Sequence, residues 1–446
     1  MKTYFKSLSD SVFHSLKASE HLFFNLTGDD TQFIRFNGSK VRQTGLVENQ
    51  FLDFTFVLGD EEGTLKRGTG QVTLTNDLAE DQKRIQHWVS RFRAELPKFA
   101  VDPYAQLPKN KAKSRVTEKK GQLLPREEAV SELLKSTGTA DLAGIYASGK
   151  LSRGMSNSAG LFHWFETDTF SFDYSLFSPK QKAVKSGYAG TEWNGTRYGS
   201  QINSSIEKLK LLEKPSRKME RGDYRVYLAP AAVGALIDMF SWGAVSEFAI
   251  RKSQSSLRYI RSGEKTFSPK FNLVEDFSGG EVPSFNEEGE VAQERQVLIG
   301  DGKLVSTLIN SRTAKEFGIE SNGANGREGL RSPVVLKGAL KEAEILKQLG
   351  TGLYLSNLHY LNWSDEVNGR ITGMTRYACF WVENGEIVCP IENLRFDATI
   401  FDLFGVALED FTDFDEYLPD TGTYQNRNLG GSRVPGALLA KMHFTL

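Results

Sequence analysis

The sequence predicts an α+β protein of two domains, with helices packed on antiparallel sheets. Three observations carry this reading. The chain has 446 residues, more than one compact core commonly serves. Runs of alternating apolar and polar residues recur along it, and turn signals such as Asn37-Gly38 and Asn384-Gly385 join them as hairpins. Between these runs stand a few stretches with helical periodicity. The pattern changes after Lys214-Pro215, from hairpins with packed helices to a glycine-rich β region. Residues 1–217 and 218–446 are therefore read as the two domains.

Taken in order, Leu8, Val12 and Leu16 place one apolar stripe on a first helix. Glu20 to Thr27 reads as a short strand. Thr31 to Phe36 and Ser39 to Gly45 flank Asn37-Gly38 as a hairpin. Gln50 to Leu58 has period two with one strongly apolar face, and Leu65 to Thr75 makes a further strand. Asp77 to Leu96 returns to helix, with Leu78, Ile85, Trp88, Val89 and Phe92 on one side. Pro103 to Pro125 is basic through Lys109, Lys111, Lys113, Arg115, Lys119 and Lys120, and reads as a solvated loop. Glu127 to Ser136 is helix, Leu142 to Ser148 strand, Ser156 to Phe177 a hairpin, and Ile202 to Leu212 helix.

The strand Tyr224 to Leu228 leads into an apolar stretch, Tyr227 to Leu257. Pro230 suits the first turn of a helix, and the residues after it are apolar nearly all round, which predicts a buried central helix. Asp238 and Glu247 sit inside it, so a helix at the floor of a site is the competing reading. Downstream, strands are predicted at Phe271 to Val274, Gln293 to Ile299 and Lys303 to Asn310, and a short helix at Thr313 to Phe317. The glycine-rich loop Ser321 to Gly329 lacks the spacing of a phosphate-binding loop. Leu340 to Leu349 is amphipathic helix. Gly352 to Leu358 is strand, followed by a polar loop. Ile371 to Trp381 and Ile387 to Ile391 flank the Asn384-Gly385 turn. Centred there, the hairpin pairs Phe380 with Cys389 and Cys379 with Pro390. The two cysteines then point to opposite faces and read as buried thiols.

Composition excludes several classes. A net charge of −1 leaves no basic footprint for nucleic acid. Two cysteines in so long a chain indicate a reducing compartment rather than a disulfide framework. The N-terminus lacks the apolar core of a signal peptide, so a cytoplasmic protein without a membrane span is expected.

The second half resembles the TldD/PmbA family, described as metallopeptidases and as modulators of DNA gyrase. The carrying segments are Phe285 to Gly302 (FNEEGEVAQERQVLIGDG), Thr313 to Gly323 (TAKEFGIESNG), Leu349 to Leu358 (LGTGLYLSNL) and Trp381 to Leu394 (WVENGEIVCPIENL). The stretch through Arg251-Lys252-Ser253 looks like the PmbA branch, also called TldE. The TldD branch holds a metal through an H-E-x-x-x-H helix and a cysteine near the C-terminus. Here the corresponding helix carries no histidine, and Asp420 to Gly436 no cysteine. The resemblance therefore implies a non-catalytic partner without catalytic residues, metal or other cofactor. It also implies pairing with a TldD-type subunit or with itself, and an extended peptide held along a strand edge. The acidic, aromatic segment Asp410 to Tyr417 departs from the family pattern.

Two enzymatic alternatives remain open at this level. One is an independent metallopeptidase using His359 with Asp365 or Glu366, placed on a presumed loop after a strand. The other is a thiol enzyme using Cys379 or Cys389 with His359. For pairing, Tyr360, Leu361 and Trp363 in one segment and Phe411, Phe414 and Tyr417 in another are expected to be exposed at an interface.

Overall fold

The computed structural model describes residues 1–110 and 113–445. Lys111 of the basic segment lies outside them. The first sheet consists of β1 (Glu20–Asn37), β2 (Lys40–Leu58), β3 (Lys66–Thr73), β4 (Val116–Lys119), β5 (Asp141–Asn157), β6 (Phe162–Phe177) and β7 (Ala183–Gly190). Its order is β3-β2-β1-β5-β6-β4, with β7 also paired to β6. Every pairing is antiparallel except that of β4 with β6.

The strands are longer than predicted. Glu20 to Thr27 and Thr31 to Phe36 form one strand, because Gly28-Asp29-Asp30 between them is paired on both sides, with Gln50-Asn49-Glu48 and with Ser152-Leu151-Lys150. Polar residues are tolerated there because Asp29, though buried, finds donors in the Arg427 backbone N–H at 2.8 Å and the Thr31 hydroxyl. Likewise Ser39 to Gly45 and Gln50 to Leu58 join in β2. The first hairpin turns on Gly38 and Ser39, with φ of 64° and 51°, and Asn37 pairs with Lys40. That is the positive-φ geometry a two-residue hairpin requires. Ser156 to Phe177 is not a hairpin by itself, since β5 runs on to Asn157. The Asn157 side chain then accepts from the N–H groups of Ala159 and Leu161 to close the turn into β6.

One part of this sheet carries α1 (Lys2–Phe13) and α2 (Leu78–Glu95), whose Phe5, Leu8, Ile85, Val89 and Phe92 bury Phe24, Phe54 and Phe56. Asp77 caps α2 by accepting from Ala79 and Glu80 N–H. Further along, α3 (Ala129–Lys135) and α4 (Gly195–Leu212) cover Tyr146, Phe172 and Tyr174.

The second sheet contains β8 (Gly222–Leu228), β9 (Leu273–Asp276), β10 (Arg295–Gly300), β11 (Lys303–Leu304), β12 (Pro333–Val335), β13 (Gly352–Asp365), β14 (Arg370–Glu383), β15 (Glu386–Pro390), β16 (Arg395–Thr399), β17 (Leu408–Pro419) and β18 (Gly431–Phe444). Strands β18, β16, β14, β13 and β8 pair in that order, and β18 pairs with β8 again, so these five close a ring. Closure leaves these five strands without a free edge, while β11, β15 and β17 remain outer strands.

The stretch predicted as one central helix, Tyr227 to Leu257, is broken into two, with a third helix just beyond it. First, α5 (Pro230–Asp238) ends in a single 3-10 turn, Met239–Ser241. Gly243, at φ 101°, then reverses the chain. Ser246 caps a new helix, α6 (Glu247–Arg251), and α7 (Arg258–Arg261) follows. The expected burial of α5 holds: Ala232, Val233, Leu236 and Ile237 share one core with Val226, Leu228, Leu353, Leu355, Val434 and Leu439 of the ring. The remaining helices are α8 (Ser311–Phe317) and α9 (Ile345–Leu349). Two predicted elements shrink: Lys303 to Asn310 keeps two strand residues, and Leu340 to Leu349 keeps α9 after a 3-10 turn.

The cysteine geometry also differs from the prediction. A bulge between Trp381 and Val382 shifts the hairpin by one residue, so Cys389 faces Trp381 and Phe380 faces Pro390. Both cysteines then contact the same core, and both are free thiols. Cys379 is buried, and burial pushes its pKa up to about 11, the reverse of what a nucleophile needs.

The sheets divide at residues 190 to 222. We propose the domain boundary at the same place, between residues 217 and 218. Limited trypsin digestion should cut in Lys214–Gly222 or in the basic segment at residues 109–120. Stable fragments ending inside residues 266–310 would contradict that boundary. No helix among the described residues is long and apolar enough to cross a membrane.

Candidate functional site

A cleft of about 1140 Å³ lies between the two sheets. One wall is β7 and α4, the other is β17, and the start of α5 (Ala229, Pro230, Ala231) lines it as well. Among the described residues β7 pairs with β6 alone, and β17 pairs with β18 and, at Thr412, with Leu340, so past Asp413 each sheet turns an outer strand toward the cleft. Asn194 caps α4 by accepting from Arg197 N–H at 2.9 Å, which fixes the helix start at the cleft rim. Arg197, Gln201, Ser204 and Lys208 then follow at spacings that keep them on one stripe, and all four line the cleft.

Lys208 is half-buried, with its ammonium 5.9 Å from the Tyr354 ring centre. Burial pulls its pKa down, but Tyr354 and Glu416 pull harder the other way, so the pKa lies above the ordinary value. Glu416 on β17 opens onto the cleft, yet the surrounding walls strip away bulk water and raise its pKa against the pull of Lys208 and Arg197. Among the described residues, neither Lys208 nor Glu416 has an ion-pair partner within 4.0 Å.

Buried polar contacts beside the cleft join the two sheet regions. Arg427, near the start of β18, is buried and donates to the Thr169 carbonyl at 3.0 Å and to the Thr31 hydroxyl at 3.4 Å. Loss of solvent lowers its pKa to about 10, with Asp29 opposing the shift. His163 on β6 is buried and stacks on Phe285 at 5.0 Å. Its Nδ1 accepts from Arg115 N–H at 2.9 Å, so the ring proton sits on Nε2, which donates to the Gly289 carbonyl at 3.1 Å. Burial depresses the His163 pKa below its usual 6.5. A depressed folded pKa means that the unfolded chain binds the extra proton first. The stability His163 contributes is therefore complete above about pH 6.5 and is lost as pH falls through the folded value. Chemical denaturation at pH 7.5 and 5.5 should show a loss in the native chain that shrinks in H163N. An equal loss in both would contradict this role.

The sequence-level candidates lie elsewhere. Of the three residues expected on a loop after a strand, His359 and Asp365 lie within β13, which extends to Asp365, and only Glu366 enters the turn that follows. His359 pairs with Met374 and lies 4.1 Å from the Tyr360 ring at a 53° tilt, while Asp365 pairs with Arg370 and caps the following turn through Asn368. Glu366 faces Gly243. Among the described residues no three His, Cys, Asp or Glu side chains come together as a metal-binding group. Of the expected interface aromatics, Tyr360 is 72% exposed at a bulge, Leu361 and Trp363 pack partly on the core, and Phe411 is wholly buried. Phe414 and Tyr417 line the cleft.

Residues 221–445 match the family model described as the PmbA/TldA metallopeptidase C-terminal domain. The chain belongs to the TldD/PmbA family. It is 32% identical over 120 residues to the metalloprotease PmbA of Escherichia coli O157:H7, spanning 27% of this chain and 25% of that protein. It is 25% identical over 261 residues to a metalloprotease PmbA homolog of Haemophilus influenzae, spanning 55% of this chain and 54% of that one. The chain thus matches about a quarter and about half of the length of these relatives.

The fold matches across the whole chain. A Thermotoga maritima protein solved as a candidate modulator of a DNA gyrase superposes with a TM-score of 0.77 at 15% identity, covering 99% of this chain and 100% of that one. TldE of Thermococcus kodakarensis superposes with a TM-score of 0.73 at 13% identity, with the same coverage.

The metal helix expected of a TldD-type chain would fall in this region, and the side chains here do not fit one. Among the described residues no imidazole or thiol lines the cleft, and α5 offers Pro230, Ala231 and their neighbours there. A zinc site takes most of its ligands from those two groups.

Proposed function

We propose that the protein is a PmbA/TldE-like non-catalytic subunit of a TldD-type peptidase. It binds an extended peptide in the cleft between its sheets and pairs with a metal-bearing TldD-type chain. The observation that carries this reading is the cleft itself: two outer strands, β7 and β17, face it, and its lining among the described residues holds no imidazole or thiol. An extended peptide laid against either strand gains main-chain hydrogen bonds, a mode that needs no catalytic group on this chain. TldE among the structural neighbours supports the assignment to that branch.

Pairing with a TldD-type chain is tested by mixing the two and measuring mass by light scattering. A one-to-one complex is the expected result. Separate species at micromolar concentration, with no self-dimer, would remove the pairing from this reading. The independent metallopeptidase using His359, Asp365 and Glu366 draws no support from their placement.

A further inference from the structure

Lys208 is the last α4 residue along the chain to line the cleft. It is half-buried, keeps its proton and has no anionic partner within 4.0 Å among the described residues. The long side chain keeps its charge beside Tyr354 and across from Glu416, and with no ion pair within 4.0 Å among the described residues its ammonium is left to meet a ligand anion. It is a good ligand-binding element, since a charge-assisted hydrogen bond formed there is stronger than one at the surface.

The residues around it narrow the ligand. The stripe above Lys208 presents Ser204, Gln201 and Arg197, spread over roughly 16 Å of helix at 1.5 Å per residue. That span suits about five residues of extended chain. Glu416 stands on the opposite wall, where it can accept from ligand N–H groups. Cations stand at both ends of this track, and Lys208 is the half-buried one with an acceptor, Glu416, across from it, a setting that fits a peptide carboxylate at that end.

We propose that Lys208 binds a peptide carboxylate, which anchors an extended peptide along the cleft-facing stripe of α4. This rests on the peptide-binding reading above and adds to it the chemical group recognised. The carboxylate can be the C-terminus of the peptide or an acidic side chain.

The test uses three fluorescent peptides of one neutral sequence: a free acid, its C-terminal amide, and the amide with one glutamate. Binding to the intact chain is read by anisotropy. The free acid should bind roughly tenfold or more tightly than the amide, the magnitude of one charge-assisted contact. K208M should remove that difference and K208R should restore it, with unchanged circular dichroism and melting. Recovery of affinity by the glutamate amide would show that a side-chain carboxylate serves too, and failure to recover would assign the site to the C-terminus. Equal binding of acid and amide, unaffected by K208M, would overturn the carboxylate anchor and leave the peptide cleft standing. Absence of binding by all three would overturn both.

Discussion

F271A should unfold the second domain at a markedly lower urea concentration, with a loss of about 3–5 kcal/mol. Phe271 is fully buried. It stacks on Phe404 at 4.4 Å, meets Phe267 edge-on at 5.1 Å and lies 6.0 Å from Phe240. Phe240 belongs to the turn that ends α5, so this aromatic cluster supports the helix that begins at the cleft. Alanine leaves a cavity among rings that cannot collapse to fill it. The transition midpoint should fall with its slope unchanged. A loss below about 1 kcal/mol would mean that these rings do not form the core of the domain.

E247A carries the next largest expected effect, about 2–3 kcal/mol. The Glu247 side chain is 4% exposed and accepts from Arg251 at 2.5 Å, from Arg261 at 2.5 Å and 3.2 Å, and from the Thr307 hydroxyl at 2.6 Å. Removing it orphans all three donors. The loss stays below that of a fully buried pair because both arginines remain 37–39% exposed and can rehydrate. Burial acts to raise the Glu247 pKa, but hydrogen bonds from Arg261, Thr307 and Arg251 outweigh it and hold the pKa below the usual 4.5. A depressed carboxylate contributes stability above its unfolded pKa and loses it as pH falls through the folded one. The gap between native and E247A stability should therefore be constant at neutral pH and close below about pH 4.5. A gap that persists at pH 3 would contradict the ion-pair account.

Glu247 also marks the limit of what the sequence makes legible. An acid inside an apolar run reads equally well as a site residue or as a satisfied core group, and only the placement of Arg261 and Thr307 decides. The hairpin at Asn384-Gly385 was readable because turn chemistry is local, and the first hairpin was too, although its turn falls on Gly38-Ser39, one residue past the predicted Asn37-Gly38. The join of Glu20 to Phe36 into one strand was not, because it depends on Asp29 meeting Arg427, 398 residues away. The one-residue slip that puts Cys389 opposite Trp381 comes from a bulge that alternation alone does not reveal.

The cleft was missed for a related reason. Reading α4 only from Ile202 hid Arg197, and with it the spacing of Arg197, Gln201, Ser204 and Lys208 that signals a polar stripe. That signal was present in the sequence. The opposing wall was not, because the topology alone brings β17 from the far end of the chain to β7.

The most direct test of the central claim is peptide hydrolysis by the purified chain alone, by a metal-bearing TldD-type chain alone, and by the two together. The account predicts no turnover by this chain, and turnover by the mixture that K208M weakens through a higher KM. Turnover by this chain alone, abolished by a chelator and by H359A, would contradict it.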